Sequence, residues 1–132
     1  MLALCGRGDE GEVIKVAVEL KNKLGANLIV VHVNDSHAGE MSMMMEAPQK
    51  FTEEDIRQCF ADTGYEKESK EISVKILKDE STSKILAMET ENIDLLILGH
   101  RKQNVFKEHF FDSIDEGIVN LSYCPVMVVQ KK

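Results

Sequence analysis

The sequence predicts an α/β fold: one domain holding a five-stranded parallel sheet with helices on both faces. Three observations predict it. Apolar or β-rich runs alternate with helical patterns along the whole chain, giving five strands and four helices. The run Leu95-Leu96-Ile97-Leu98 is apolar at every position, as a strand buried on both faces must be. At 132 residues the chain suits one domain that buries roughly two-thirds of its unfolded surface. Strands separated by helices pair in parallel through right-handed crossovers.

Leu2–Cys5 is the first strand, and Gly6-Arg7-Gly8-Asp9 turns after it. Val13, Ala17, Leu20 and Leu24 then form one apolar helical stripe, and Gly25 is its C-cap. Ala26–Val33, with Leu28-Ile29-Val30-Val31, is the second strand. Asn34–Lys50 is irregular. Thr52 and Asp55 form a capping box, with Phe51 and Ile56 as a hydrophobic staple, for a helix burying Ile56, Cys59 and Phe60. Gly64 ends or interrupts that helix. Ile72-Ser73-Val74-Lys75-Ile76 alternates, which predicts a strand near a sheet edge with one wet face. Ser81-Thr82-Ser83 offers caps for a helix carrying Ile85, Leu86 and Met88. Leu95–Leu98 ends at Gly99, where a glycine permits a sharp turn. A polar loop of about a dozen residues follows, a length at which loops are often functional. Ser113 and Glu116 form a second capping box, for a helix with Ile114, Ile118 and Leu121 on its stripe. Pro125 stops that helix, and Val126–Val129 is the last strand.

A net charge of −7 argues against nucleic acid or an anionic membrane as the main partner. Cys5, Cys59 and Cys124 are scattered and odd in number, which fits reduced thiols in a cytoplasmic protein. No apolar run approaches the ~18 residues of a membrane span. Leu2-Ala3-Leu4-Cys5 lacks the charged and apolar regions that precede a lipoprotein cleavage site, so it reads as strand.

A strand, a loop and a helix N-terminus at the carboxyl end of a parallel sheet make a natural ligand site, often for a phosphate. The segment 94–130 that supplies them resembles the C-terminal half of the universal stress protein family. Nucleotide-binding members carry a glycine after the fourth strand, a second three residues on, a third ten later, then Ser or Thr. Gly99 and Ser113 match that pattern, while Lys102 and Asp112 stand at the second and third positions. Cys124-Pro125-Val126-Met127-Val128-Val129 is similar to the family's ending. So are Leu24-Gly25-Ala26-Asn27-Leu28 and His32-Val33, and the resemblance covers nearly the whole chain.

The resemblance implies a Rossmann-like fold of the adenine nucleotide alpha hydrolase type. It places a nucleotide loop at Gly99, His100, Arg101, Lys102, Asp112, Ser113 and Ile114. The aspartate that ends the family's first strand and contacts the nucleotide falls here at Cys5 or Gly6, and Asp9 comes several residues late. Phosphate cradles need small residues for close backbone approach, which Lys102 and Asp112 oppose. Two like charges at ~4 Å repel by roughly 4 kcal/mol at an effective dielectric near 20, about three decades in affinity. His100, Arg101 and Lys102 offset part of this. The expectation is a degraded loop with no tight ATP binding and no cofactor, the alternative being ATP with Mg²⁺. The family also implies a homodimer through the last strand, here Pro125, Val126, Met127, Val128 and Val129.

No catalytic constellation emerges. His32, His37, His100 and His109 share no metal-ligand spacing; His32 reads as a core histidine, and His100 lies where ligand contacts would be. Met41-Ser42-Met43-Met44-Met45 offers thioethers suited to copper(I), but such runs more often cover an apolar surface or a partner. Cys5 has no base placed for it, and Ser113 lacks a Gly-x-Ser-x-Gly context. The expected function is a small regulatory stress-response module, dimeric, not an enzyme, with a possible protein partner. The alternatives are an ATP- or AMP-binding stress protein with weak or no ATPase activity, and a regulatory domain of a larger transporter or kinase.

Overall fold

The computed structural model describes residues 1–35, 50–101 and 113–131. Strands β1 (Leu2–Ala3), β2 (Ile29–Asn34), β3 (Ser73–Lys78), β4 (Leu96–Arg101) and β5 (Val126–Lys131) form one sheet in the order β3-β2-β1-β4-β5. Every pairing is parallel. The helices among the described residues are α1 (Gly11–Leu24), α2 (Glu53–Asp62), α3 (Glu66–Glu71), α4 (Thr82–Glu89) and α5 (Ser113–Leu121), with a 3₁₀ turn at Thr90–Asn92.

The two faces follow from strand alternation. Leu2, Leu4, Val30 and Ile97 join Val13 and Ile14 of α1 and Ile56 and Phe60 of α2 in one core. Ala3, Val31, Leu96 and Leu98 join Leu86 of α4 and Ile118 of α5 in the other. Phe60 and Ile56 are wholly buried, each contributing about 1.5–3 kcal/mol. β3 lies at the sheet edge, as its alternating pattern requires, and β5 forms the other edge.

Several expectations change. Among the described residues there is a fifth helix, α3, which Gly64 makes room for by ending α2 at φ 93°. Glu66-Lys67-Glu68-Ser69-Lys70-Glu71 is polar all round, so no periodicity marked it. The Arg57 guanidinium holds it from α2, donating to the carbonyls of Ser69 and Ile72. Leu24 is not on the buried stripe but is 68% exposed, and α1 buries Val13, Ile14, Ala17 and Val18. Ser81 makes no side-chain cap at α4; its N–H donates to Asp79 Oδ1 at 2.7 Å instead. The Thr52–Asp55 capping box is present in full.

The largest correction concerns Gly99. It does not end its strand, which runs on through His100 and Arg101, and its φ is not positive. Its missing side chain serves packing: a Cβ there would collide with the Cε of Lys131 on the neighbouring strand. Lys102, Asp112, the Met41–Met45 run, His37, His109 and the Ser113 side chain lie outside the described residues.

Candidate functional site

The chain winds from β1 out to β2 and β3, then returns to β4 on the other side of β1. The reversal puts a crevice at the carboxyl ends of β1 and β4, where ligands of open α/β sheets bind. A cavity of about 170 Å³ opens there. Ala3, Val31, Leu86, Leu98 and Ile118 give it an apolar floor, and Cys5, Arg7, Thr82, Gly99, Ile114 and Asp115 surround it. A larger cavity of about 400 Å³ sits at the opposite end, lined by residues such as Leu24, Leu28 and Leu95. It lies at the amino ends of the strands, the end that ligands of such sheets do not use.

The β1–α1 turn forms one side of the site. Gly6 adopts φ 74°, and a Cβ on it would strike the Phe51 ring, so only glycine fits. Phe51 is pinned by Asn34, whose Oδ1 accepts its N–H at 2.9 Å and whose Nδ2 donates to its carbonyl at 2.8 Å. His32 stacks edge-on against Phe51 with centroids 4.6 Å apart. Its Nδ1 lies 2.7 Å from the Leu4 carbonyl, so it is the satisfied core histidine the sequence suggested. On the opposite side, His100 Nδ1 lies 3.0 Å from Asp115 Oδ2, with both side chains mostly buried. This pair ties the end of β4 to the first turn of α5.

Behind the turn lies a buried ionic cluster. Glu10, 4% exposed, precedes α1; its Oε1 accepts the N–H groups of Cys5 and Gly6, each at 3.1 Å. Lys131 reaches in from β5 with its side chain 4% exposed. Its Nζ donates to Asp9 Oδ1 at 3.1 Å and lies 3.3 Å from Glu10 Oε2. The second contact is electrostatic only, since Glu10 Oε2 makes no aligned hydrogen bond. Burial alone would lower the Lys131 pKa, but the Glu10 charge and the Asp9 hydrogen bond outweigh it and raise it. Burial would raise Asp9, yet hydrogen bonds from Arg101 and Lys131 hold it below the ordinary carboxylate range. Arg101 donates to Asp9 Oδ2 through Nε at 3.0 Å and Nη2 at 2.6 Å.

Of the residues named from sequence, Cys5, Gly99 and Ile114 line the cavity, and His100 joins through Asp115. Arg101 is not among the lining residues but is drawn to Asp9. The Cys5 residue is exposed, yet burial of the thiol and the nearby Glu10 charge raise its pKa, which disfavours the thiolate. Arg7, Thr82, Asp115, Glu10 and Lys131 were missed. Asp115 had a legible signal, two residues past the matched Ser113; Lys131 had none, because terminal lysines usually solvate. Among the described residues no group of three or more His, Cys, Asp or Glu is placed to hold a metal. No helix among them is long and apolar enough to cross a membrane.

An open parallel sheet with a cavity at its switch point defines a Rossmann-like α/β class. The universal stress protein family model matches residues 3–130, and the chain belongs to that family. Its fold is similar to a universal stress protein from Archaeoglobus fulgidus, at TM-score 0.66 and 15% identity, covering 96% of this chain and 94% of that one. A family member from Burkholderia pseudomallei gives TM-score 0.57 and 18% identity, over 97% and 92% of the two chains. A universal stress protein solved in complex with cAMP gives 0.56 and 13%, over 99% and 96%. No curated protein matches the chain.

Proposed function

We propose that this protein is a small regulatory stress-response module, cytoplasmic and homodimeric, that takes no cofactor, binds no MgATP tightly and performs no catalysis. One observation carries the reading: the switch-point cavity measures about 170 Å³ and has Asp115 in its wall. Ligand and cofactor sites usually occupy about 300–1,000 Å³. Asp115 lies in the first turn of α5, beside the helix end a phosphate would seek, and its charge repels one. Lys102 and Asp112 in the loop sequence support the same conclusion. Dimerisation through Pro125 and Val126–Val129 is supported by the edge position of β5 and the exposure of Met127.

Calorimetric titration of MgATP into the protein and into a Lys102→Gly/Asp112→Gly variant tests the ligand reading. Silence from the first with binding by the second is expected; micromolar binding by the unmodified protein refutes it. Sedimentation equilibrium tests the dimer: Met127→Lys should yield monomers, and a monomeric unmodified protein overturns the interface. A second reading, an AMP or cAMP binder, is favoured by the fold neighbour solved with cAMP. Saturable heat on adding either nucleotide would establish it.

A further inference from the structure

The geometry points to a free α-amino acid with a branched or aromatic side chain as the ligand of the switch-point cavity. This rests on the reading of that cavity as closed to triphosphates. Its size and lining fit a single hydrocarbon group: an apolar cavity of about 150 Å³ holds one benzene, and this one measures about 170 Å³. Val31, Leu98, Leu86 and Ile118 are each at most 4% exposed, so the floor is apolar and held in the core.

The rim is dipolar. Arg7 comes from the β1–α1 turn and Asp115 from the first turn of α5, and both line the cavity. Arg7 forms none of the ion pairs among the described residues. Asp115 is tethered through Oδ2 to His100, which fixes its orientation. A carboxylate is a natural partner for a planar guanidinium, and an ammonium for a carboxylate. A ligand with one charge leaves either Arg7 or the second oxygen of Asp115 without a ligand partner, whereas a zwitterion with an apolar side chain answers floor and rim together. Thr82 adds a hydroxyl at the N-terminal end of α4.

The test is a titration of the full chain followed by backbone amide NMR, with three probes: L-leucine, 4-methylpentanoate (leucine without its ammonium) and 3-methylbutylamine (leucine without its carboxylate). L-leucine should give saturable shifts at Ala3, Val31, Leu98 and Ile118. It should bind roughly ten- to a hundredfold more tightly than either analogue, the range for losing one charge-assisted hydrogen bond. Arg7→Gln should weaken leucine by a similar factor and leave the amine unchanged; Asp115→Asn should do the converse with the acid. If Asp115→Asn disturbs the fold through His100, the analogue comparison on the unmodified protein decides alone. An unchanged spectrum at millimolar leucine overturns the inference, as does equal binding of all three probes, which would mean only an apolar hole. MgATP titrated separately keeps the two readings apart. ATP binding refutes closure to triphosphates whatever leucine does, and leucine silence refutes the amino acid whatever ATP does.

Discussion

Lys131→Met isolates the buried ionic cluster. The variant keeps the stem that crosses Gly99 and removes only the ammonium. Glu10 then keeps two backbone N–H donors on Oε1 and loses the cation 3.3 Å from Oε2. Both side chains are 4% exposed, so solvent cannot take over that charge. Removing one partner of such a pair costs about 3–5 kcal/mol. Asp9 is 21% exposed and keeps its Arg101 bonds, so its share is small and the lower end applies. A loss of about 3 kcal/mol lowers the melting temperature by roughly 12 °C in a chain of this size. Urea unfolding at neutral pH measures it, read as a shifted midpoint at constant slope. Lys131→Met/Glu10→Gln should recover more than about 1 kcal/mol relative to the sum of the single changes, because no lone charge remains buried. A Lys131→Met cost below about 1 kcal/mol, the worth of an exposed pair, or strict additivity in the double variant, would refute the reasoning.

Gly99→Ala should destabilise by about 1–3 kcal/mol, since the added Cβ meets the Lys131 stem; in a Lys131→Ala background most of that loss should vanish, again by urea unfolding. Arg57→Met should cost about 1.5–3 kcal/mol through the Ser69 and Ile72 carbonyls, and hydrogen exchange should quicken across α3 before the rest of the fold. Cys5 should react with iodoacetamide more slowly than free cysteine at neutral pH, and Glu10→Gln should speed it by removing the charge that helps raise the thiol pKa. The pH dependence has two limbs. Asp9, lowered when folded, stabilises above the ordinary carboxylate range, and that contribution is lost as acid titrates it through its folded pKa. Lys131, raised when folded, stabilises below the ordinary lysine range of about 10.4 and loses it as pH climbs through its folded value. Urea midpoints measured against pH should therefore lose the acid limb in Asp9→Asn and the alkaline limb in Lys131→Met.

The parallel sheet, its layering and its edge strands were legible because they rest on patterns that burial imposes. The unbroken run Leu95–Leu98 marked a strand covered on both faces, and the alternation of Ile72–Ile76 marked an edge; β4 and β3 occupy those places. The capping box at Thr52 and the core role of His32 were likewise local chemistry that tertiary contacts had only to accommodate. What stayed hidden was either polar and short, as α3, or set by partners distant in sequence. Lys131 meets Asp9 across 122 positions, and nothing in Val128-Val129-Gln130-Lys131-Lys132 tells an inward lysine from a solvated one. Leu24 failed for the opposite reason: its spacing was right, but the last turn of α1 runs past the edge of the core.

Gly99 shows how one residue satisfies a sequence pattern for a different physical reason. A glycine after the fourth strand suits a phosphate because the backbone can come close to it. Here the space beside Gly99 is taken by the Lys131 stem, which leads to Asp9 and Glu10. The Glu10 carboxylate in turn holds the N–H groups of Cys5 and Gly6, the turn that carries Arg7 to the cavity. The last strand thus braces the first loop of the site, with the Lys131 stem filling the space beside Gly99. The cavity opens on the opposite side, against α4 and α5, where the apolar floor and Asp115 lie. The cavity is small, with an apolar floor and charges of both signs, Arg7 and Asp115, in its lining.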